Sequence, residues 1–517
     1  MIGFIITLFL ITLCVVRLYK NAYKRPLDTF PPGPINLPVY GAYWIVLMRE
    51  INNLGGSLRK LARYYDTKVL GMYLGKFPTI VVDDPKLIKE TLNNEDFDGR
   101  LDIIITRLRS FWKRLGIFFT DGYFWHVQRR FTLRYMRDFG FGRRDETLEA
   151  VIANETKEMI DLALNGPKNP EEKELVKGNF IFLQHFFAVP FINGILHIFT
   201  RSTLPRSEYP VLWDLARKTL LFQRGTNDLG GAITLTPWLK DVMPNYSGYK
   251  NLCKGNQSLL DFFSKLIKQT HVTQEDSHDR HFLDCYIRKM KEERKSGRRT
   301  TFSDEQLQLV CTDYMFPAAT GIQSVLTFLI ERMLLQPEIQ DKIHEEIDRV
   351  VGRDRLPTLD DRQNMPYLEA CLREIMRFET LVPLGVPHRT MKDCKLAGYD
   401  IPENTVVVFN YITLHFDKDI WGDPENFRPE RFIDNGKLNL SKDKSLPFGA
   451  GKRLCAGETF ARQSMFQVFA GFMQAFSVST ADGKPLTKPA RRIQGIITTV
   501  PEFWVRVTPR VYGINKK

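Results

Sequence analysis

The run Phe448-Gly-Ala-Gly-Lys-Arg-Leu-Cys-Ala-Gly457 constrains this chain more than any other. It sets one cysteine, Cys455, between a glycine-loosened loop and an apolar helical stretch, and the nearest other cysteine, Cys394, lies sixty-one positions upstream. A lone thiolate held this way suits one task above others, the axial ligand of a haem iron. The remaining cysteines (Cys14, Cys253, Cys285, Cys311, Cys371, Cys394) are scattered, with no Cys-x-x-Cys pair. That argues against a disulfide framework or a structural zinc, and for reduced thiols in a cytosol-facing compartment.

Beyond Cys455, the residues Met465, Phe469, Phe472 and Phe476 recur at helical spacing and predict a core-packed helix. The 517 residues are 43% hydrophobic, ample for a large core, and no internal repeat or low-complexity linker divides them. The net charge of +13 raises the question of nucleic acid, but the basic residues are spread out, clustering only at Arg129–Arg144 and Lys291–Arg299, and no nucleic-acid motif accompanies them. The charge reads as solvated surface, or as a docking face for an acidic protein or anionic lipid.

At the N-terminus, Met1 to Val16 carries no charged side chain, and Arg17, Lys20, Lys24 and Arg25 follow. The apolar run to Tyr19 is just long enough to span a bilayer. The charge comes after the apolar stretch and no Ala-x-Ala follows, so the reading is an uncleaved anchor with Arg17 onward in the cytoplasm. In that orientation the sequons at Asn154, Asn245, Asn256 and Asn439 never meet glycosylation enzymes. Residues 1–20 are thus an anchor, 21–35 a basic, proline-rich hinge containing Pro31-Pro-Gly-Pro34, and 36–517 the remaining domain.

Further along, the pattern predicts a helix over 55–65, paired strands at Lys68–Leu74 and Pro78–Val82, and a helix opened by Asp84-Pro85. Asp98 to Thr120 reads as irregular. Trp125 to Arg137 reads as a helix that puts Trp125 and Arg129 on one face, a clamp for a carboxylate or phosphate. Helices are expected over 145–165, 180–199, 209–223 and 249–271, with an apolar loop, Gly230–Leu239, that is either buried or dips into a membrane surface. Ser303 and Gln306 form a capping box for a long helix running to Leu335, weakened in its middle by Pro317 and Gly321, where a site is expected. Glu374 and Arg377 stand three apart on a helix over Tyr367–Phe378, and Arg431 lies in Phe427-Arg-Pro-Glu-Arg-Phe432. Short β-like stretches are expected near Lys395–Asp400 and Thr405–Val408, and a β-rich end over Gln494–Val507.

With these residues together, the chain resembles the cytochromes P-450, the haem-thiolate monooxygenases, over essentially its full length. The cysteine loop matches Phe-x-x-Gly-x-Arg-x-Cys-x-Gly at Phe448, Gly451, Arg453, Cys455 and Gly457, and the Glu374/Arg377 pair, the Pro-Glu-Arg-Phe element and the Trp125/Arg129 pair follow the family's order and spacing. The anchor and proline hinge look like the microsomal members. Gly99-Arg100 and Val386-Pro-His388 look like the branch with drug-metabolising enzymes and animal and insect steroid-hormone hydroxylases. The resemblance implies a mainly α fold with small β-sheets, the P-450 fold of a triangular helical haem domain plus a transmembrane anchor.

By the same resemblance, Cys455 is the axial ligand of haem b (iron protoporphyrin IX), and Arg100, Trp125, Arg129, His388, Phe448 and Arg453 surround the cofactor. Glu374, Arg377 and Arg431 form a structural ion network. Phe118, Phe119, Ala318, Val382, Val386, Ile496 and Ile497 fall where the family lines its substrate pocket. The implied activity is insertion of one atom of O2 into a lipophilic sterol, terpenoid, fatty-acid-like molecule or xenobiotic. Electrons come from NADPH through NADPH–cytochrome P-450 reductase, with cytochrome b5 as a second partner and no nucleic acid. The implied place is the endoplasmic reticulum membrane, the catalytic domain facing the cytosol.

One stretch departs from the family. Its long helix normally reads Ala/Gly-Gly-x-Asp/Glu-Thr-Thr; here the aligned residues are Pro317-Ala-Ala-Thr320-Gly321-Ile322, with Thr320 in place of the acid and Gly321 in place of the proton-delivering threonine. Thr320 or Ser324 ordering a water chain, a substrate hydroxyl filling the gap, and rearrangement of a peroxide without O2 activation are the three explanations. A haem-binding sensor or carrier without catalysis is the alternative of another class.

Overall fold

The computed structural model describes residues 2–50, 52–227, 229, 231–274, 278–297 and 299–510. Met1 of the expected anchor, Gly230 of the apolar loop, Arg298 of the second basic cluster and residues 511–517 of the expected catalytic domain lie outside them.

The fold is built around the helix Asp304–Leu335, 32 residues long and almost wholly buried. Its length and apolarity would suit a membrane span, but its burial within the domain makes it the core helix. It packs against Ala188–Thr200, Tyr249–Thr273, Pro366–Glu379 and Glu458–Ala475. The last of these carries Met465, Phe469 and Phe472 of the expected stripe at full burial or close to it, while Phe476, expected on the same helix, is buried but opens the strand Phe476–Thr480. Pro317 does not break the long helix, although it withholds one backbone donor. The Ser303 side chain caps it by accepting from Gln306 N at 3.1 Å. The reciprocal half of the capping box is not made: the Gln306 side chain instead accepts from Gly116 N at 2.7 Å, tying the loop 109–120 to the helix start.

A five-stranded sheet flanks this core in the order Val69–Leu74, Phe77–Val82, Val406–Phe409, His388–Arg389, Gly99–Arg100. Only the Phe77–Val82 and Val406–Phe409 pair is parallel. Its register sets Arg100 opposite His388, bringing residues 288 positions apart in sequence to one edge. The expected irregular stretch after Asp98 therefore begins with a strand, and it also holds a short helix, Ile104–Leu108. The helix expected over 180–199 divides: Phe180–Phe182 is a strand paired with Trp504–Pro509, followed by helices Leu183–Phe186 and Ala188–Thr200. An aromatic, β-branched triplet with a partner strand available outweighs helical periodicity. The β-rich end is narrower than expected, an isolated bridge between Ile493 and Thr499 and the strand Trp504–Pro509.

The N-terminal helix Ile2–Ala22 presents exposed side chains from Ile6 to Tyr19. Its end is not loose. Asn36 N donates to Ala22 O at 2.8 Å and Asn36 Nδ2 to Lys24 O at 3.0 Å. The proline segment is docked rather than free: Gly71 N donates to Pro32 O at 2.8 Å, and Arg25 reaches the carbonyls of both Gly71 and Gly33. A Cβ on Gly33 would stand 2.0 Å from the Gly71 carbonyl oxygen, so this contact requires glycine. The apolar loop after position 230 contains helices Gly231–Leu235 and Leu239–Val242. Within the loop Ile233 is buried while Trp238 is exposed, and Val242 and Met243 just beyond it are exposed as well.

Candidate functional site

Cys455 sits immediately ahead of the helix Glu458–Ala475. Its N–H donates to Phe448 O at 2.9 Å, closing the loop on itself. Gly451, at φ 67°, lies so close to Leu92 that a Cβ would meet its carbonyl oxygen at 2.0 Å. A Cβ on Gly457 would lie 3.9 Å from the Cys455 sulfur, which shows how near that backbone comes. Burial pushes the Cys455 thiol up, while the Gly457 N–H and the Arg129 charge favour the thiolate. The side chain is nevertheless accessible. The sulfur is hemmed in by protein yet has open space on one side, and Tyr314 of the long helix is near enough to feel the charge of both Cys455 and Arg129.

Beside this space the fold gathers cations from four separate parts of the sequence. The Arg453 guanidinium lies 3.7 Å from the Trp125 ring centroid, and that of Arg129 lies 5.6 Å from the same ring. Arg129 also donates to Leu454 O, holding the cysteine loop. Arg453 donates to Asp98 O at 2.9 Å and Thr120 O at 3.0 Å. Arg100 donates to Phe118 O at 3.2 Å and Val386 O at 3.4 Å. His388 is buried beside Arg100, its Nδ1 2.7 Å from Phe97 O. Burial and the neighbouring charges lower Arg100 to about 10 and Arg453 to about 8. A guanidinium does not surrender its proton in practice. Such shifts therefore mark a cluster with too few anions, one that would bind an anionic group strongly.

Sequence reasoning missed the residue that organises this cluster. Asp121 precedes a helix and reads as its N-cap, yet its side chain makes no capping bond. Its Oδ2 accepts from Arg100 N at 2.9 Å, Arg114 Nη2 at 3.1 Å and Arg389 Nη2 at 3.0 Å. No local signal distinguishes this role from an ordinary cap. A second missed pair is the buried ion pair of Arg109 with Asp313, whose Oδ2 also accepts from Ile117 N at 2.6 Å and Phe118 N at 3.0 Å.

The residues present fit a haem. The sulfur is accessible, the nearby arginines lack enough anions, and the Trp125 Nε1–H is buried without a partner. A buried indole N–H in a native fold normally has an acceptor. A haem propionate would supply one.

On the long helix, Pro317 is exposed in the middle of a buried stretch, and Phe316 is half-buried. They mark the helix's open face. Phe316 meets Phe222 edge to face at 5.1 Å, and Ile496 joins the same apolar cluster. Ile496 is fixed by its N–H to Gln223 O at 2.8 Å, and Thr498 N by Leu381 O at 2.8 Å. Phe118 and Phe119 stack edge to face at 4.8 Å; Ala318 and Ile497 are buried, Val382 and Val386 half-buried. Thr320 Oγ1 donates to Phe316 O at 3.1 Å and Ser324 Oγ to Thr320 O at 2.7 Å, so both hydroxyl protons are spent within the helix. A Cβ on Gly321 would meet only Leu381, at 3.7 Å.

Behind the site, Glu374 and Arg377 are fully buried and bidentate, at 2.7 and 2.8 Å. Arg431 Nε joins Glu374 at 3.0 Å, and Arg377 donates to His415 O and Pro424 O at 2.6 and 3.1 Å.

The family model described as cytochrome P450 matches residues 31–505. The chain belongs to the cytochrome P450 family. It is similar to the farnesoate epoxidase of Bombyx mori, 30% identical over 97% of this chain and 99% of that protein. It is also similar to cytochrome P450 2C23 of Rattus norvegicus, 30% identical over 96% and 97%, and to cytochrome P450 2E1 of Oryctolagus cuniculus, 31% identical over 94% of each. The chain is an oxidoreductase of the cytochrome P450 monooxygenase class, and cytochromes P450 bind haem b and use O2 with electrons from NADPH delivered by a reductase.

Proposed function

We propose that this P450 inserts one oxygen atom from O2 into a lipophilic small molecule at the endoplasmic reticulum membrane, with electrons from NADPH–cytochrome P-450 reductase. The observation that carries the proposal is the Cys455 sulfur, accessible, steadied by the Gly457 N–H and Arg129, and close to Tyr314 of the long helix. Cys455 would be the axial ligand, and Arg100, Trp125, Arg129 and Arg453 would hold the propionates. Burial and the Arg100 charge hold His388 well below its ordinary value, so it would line the same site as a neutral ring with Nδ1 turned to Phe97 O. Bound this way, a thiolate-ligated haem supplies O–O cleavage.

The apolar lining of Phe118, Phe119, Ala318, Phe316, Val382, Val386 and Ile496 favours an apolar ligand. It is consistent with the activity for which the Bombyx mori relative is named, epoxidation of farnesoate. With the hydroxyl protons of Thr320 and Ser324 donated to backbone carbonyls, a water or substrate hydroxyl beside Gly321 takes the place of the family's threonine. The helix Ile2–Ala22 is about 32 Å long, matched to a hydrocarbon core of about 30 Å, with Arg17 and Lys20 at its cytosolic end. The exposed Trp238, Val242 and Met243 favour a second contact with the membrane surface. The exposed basic helix Gly122–Asp138 and Lys452 favour docking of an acidic reductase.

The test is turnover of a terpenoid and lipid panel with NADPH, reductase and isotopically labelled O2. Label in the product supports the proposal. Turnover of a hydroperoxide without reductase, and no label from O2, replaces it with the rearrangement reading.

A further inference from the structure

Not every donor around the cation cluster points at an anion. His388 directs Nδ1 to the Phe97 carbonyl, and Arg453 divides itself between the carbonyls of Asp98 and Thr120. A neutral ring that donates from Nδ1 leaves its other nitrogen an acceptor. One more polar group lies close by and has no role in the reading above.

Tyr411 follows the strand Val406–Phe409 and is 8% exposed. Its ring is fixed: it stacks on His415 at 6.0 Å, lies 6.5 Å from Phe409, and would touch a Cβ on Gly385 at 2.9 Å. Its N–H donates to Pro383 O at 3.0 Å. The hydroxyl, in contrast, has no hydrogen-bond partner among the described residues. A buried phenol normally finds an acceptor. The position of this hydroxyl indicates which acceptor. A Cβ on Gly449 of the cysteine loop would lie 3.7 Å from the hydroxyl oxygen, and Arg100 is close enough for its charge to act on the phenol. The hydroxyl thus stands between the cysteine loop and a buried cation that lacks an anion.

We propose that Tyr411 donates its phenolic O–H to a haem propionate, alongside Arg100. The proposal rests on the haem reading above and adds a donor from a part of the chain outside the cation cluster. The effect of Tyr411 is on holding and orienting the cofactor, so it is a positioning residue.

The test uses the full-length holoprotein and Tyr411→Phe, which keeps the ring and removes only the hydroxyl. Expected are a shifted propionate bending mode in the resonance Raman spectrum and haem transfer to apomyoglobin roughly ten- to a hundredfold faster, the factor for one hydrogen bond to a charged group. Both proteins are also loaded with haem dimethyl ester, which removes the carboxylates; the difference between them should then vanish. An unchanged mode and transfer rate, or a difference that persists with the ester, overturns the proposal. Failure of the haem-thiolate reading itself shows separately, as loss of the thiolate-specific Soret band from the wild-type carbonyl complex.

Discussion

Arg453 lies with its guanidinium carbon 3.7 Å from the centre of the Trp125 ring. One residue comes from the cysteine loop and the other from the basic helix, and the indole N–H stays buried without a partner beside the cations. The ring screens one face of a cation, and the N–H is left for an anion.

Replacing Trp125 with Phe keeps the ring under Arg453 and deletes only that donor. Haem content after purification should fall, and haem dissociation should speed up by roughly tenfold or more. Following haem transfer to apomyoglobin checks this; an unaltered rate would mean that Trp125 serves packing alone.

Cys455→Ala should abolish the thiolate-specific Soret band of the reduced carbonyl complex. A difference spectrum is sufficient, and an intact band in the variant would remove Cys455 from the site.

Glu374→Gln retains the shape of the side chain but leaves Arg377 buried without a counter-charge and Arg431 with only the partly exposed Asp423. Removing one partner of a buried pair costs about 3–5 kcal/mol. Chemical denaturation of the holoprotein should show a loss of this size; a change below about 1 kcal/mol would place the network's weight on its backbone carbonyl contacts instead.

Gly321→Thr restores the residue type usual at this position, and a Cβ there meets only Leu381, in ordinary contact. The variant should fold. If a water or substrate hydroxyl stands in for the missing threonine, coupling of NADPH to product should change, with substrates that carry a hydroxyl near the reacting carbon losing most. Equal coupling for all substrates in both proteins would show that position 321 has no part in proton delivery.

His415 supplies a pH dependence. It is buried, its Nδ1 is 2.8 Å from Thr380 Oγ1, and Leu446 N donates to its Nε2 at 3.2 Å. Burial and the nearby Arg377 charge hold it down to about 3, from an ordinary 6.5. A histidine kept neutral in the fold binds its proton more readily when unfolded. Its contribution is therefore full above pH 6.5 and is lost as the pH falls toward 3, at about 1.4 kcal/mol per unit. Denaturation across this range should be less steeply acid-sensitive in His415→Gln; an identical slope would exclude His415 as its source.

What the sequence disclosed was what lies close along the chain. The cysteine loop, the Glu374/Arg377 spacing and the Trp125/Arg129 spacing each encode a contact within one loop or one turn of helix. The contacts that went unread are made between distant segments. Asp121 gave no signal because the arginines it gathers, Arg100, Arg114 and Arg389, come together only in the fold. Tyr411 gave no signal because an unpaired hydroxyl is visible only once its neighbours are known. Phe180–Phe182 read as helix until the strand Trp504–Pro509, more than three hundred residues later, paired with it.

The meeting of Gly33 and Gly71 reaches beyond the local packing. With Arg25 across the same carbonyls and Asn36 on the end of the first helix, the chain passes from helix to domain through a bolted joint. Through it, a movement of the helix Ile2–Ala22 is passed on to the strand that carries Gly71, and a larger side chain at position 33 would push Gly71 aside and loosen that coupling.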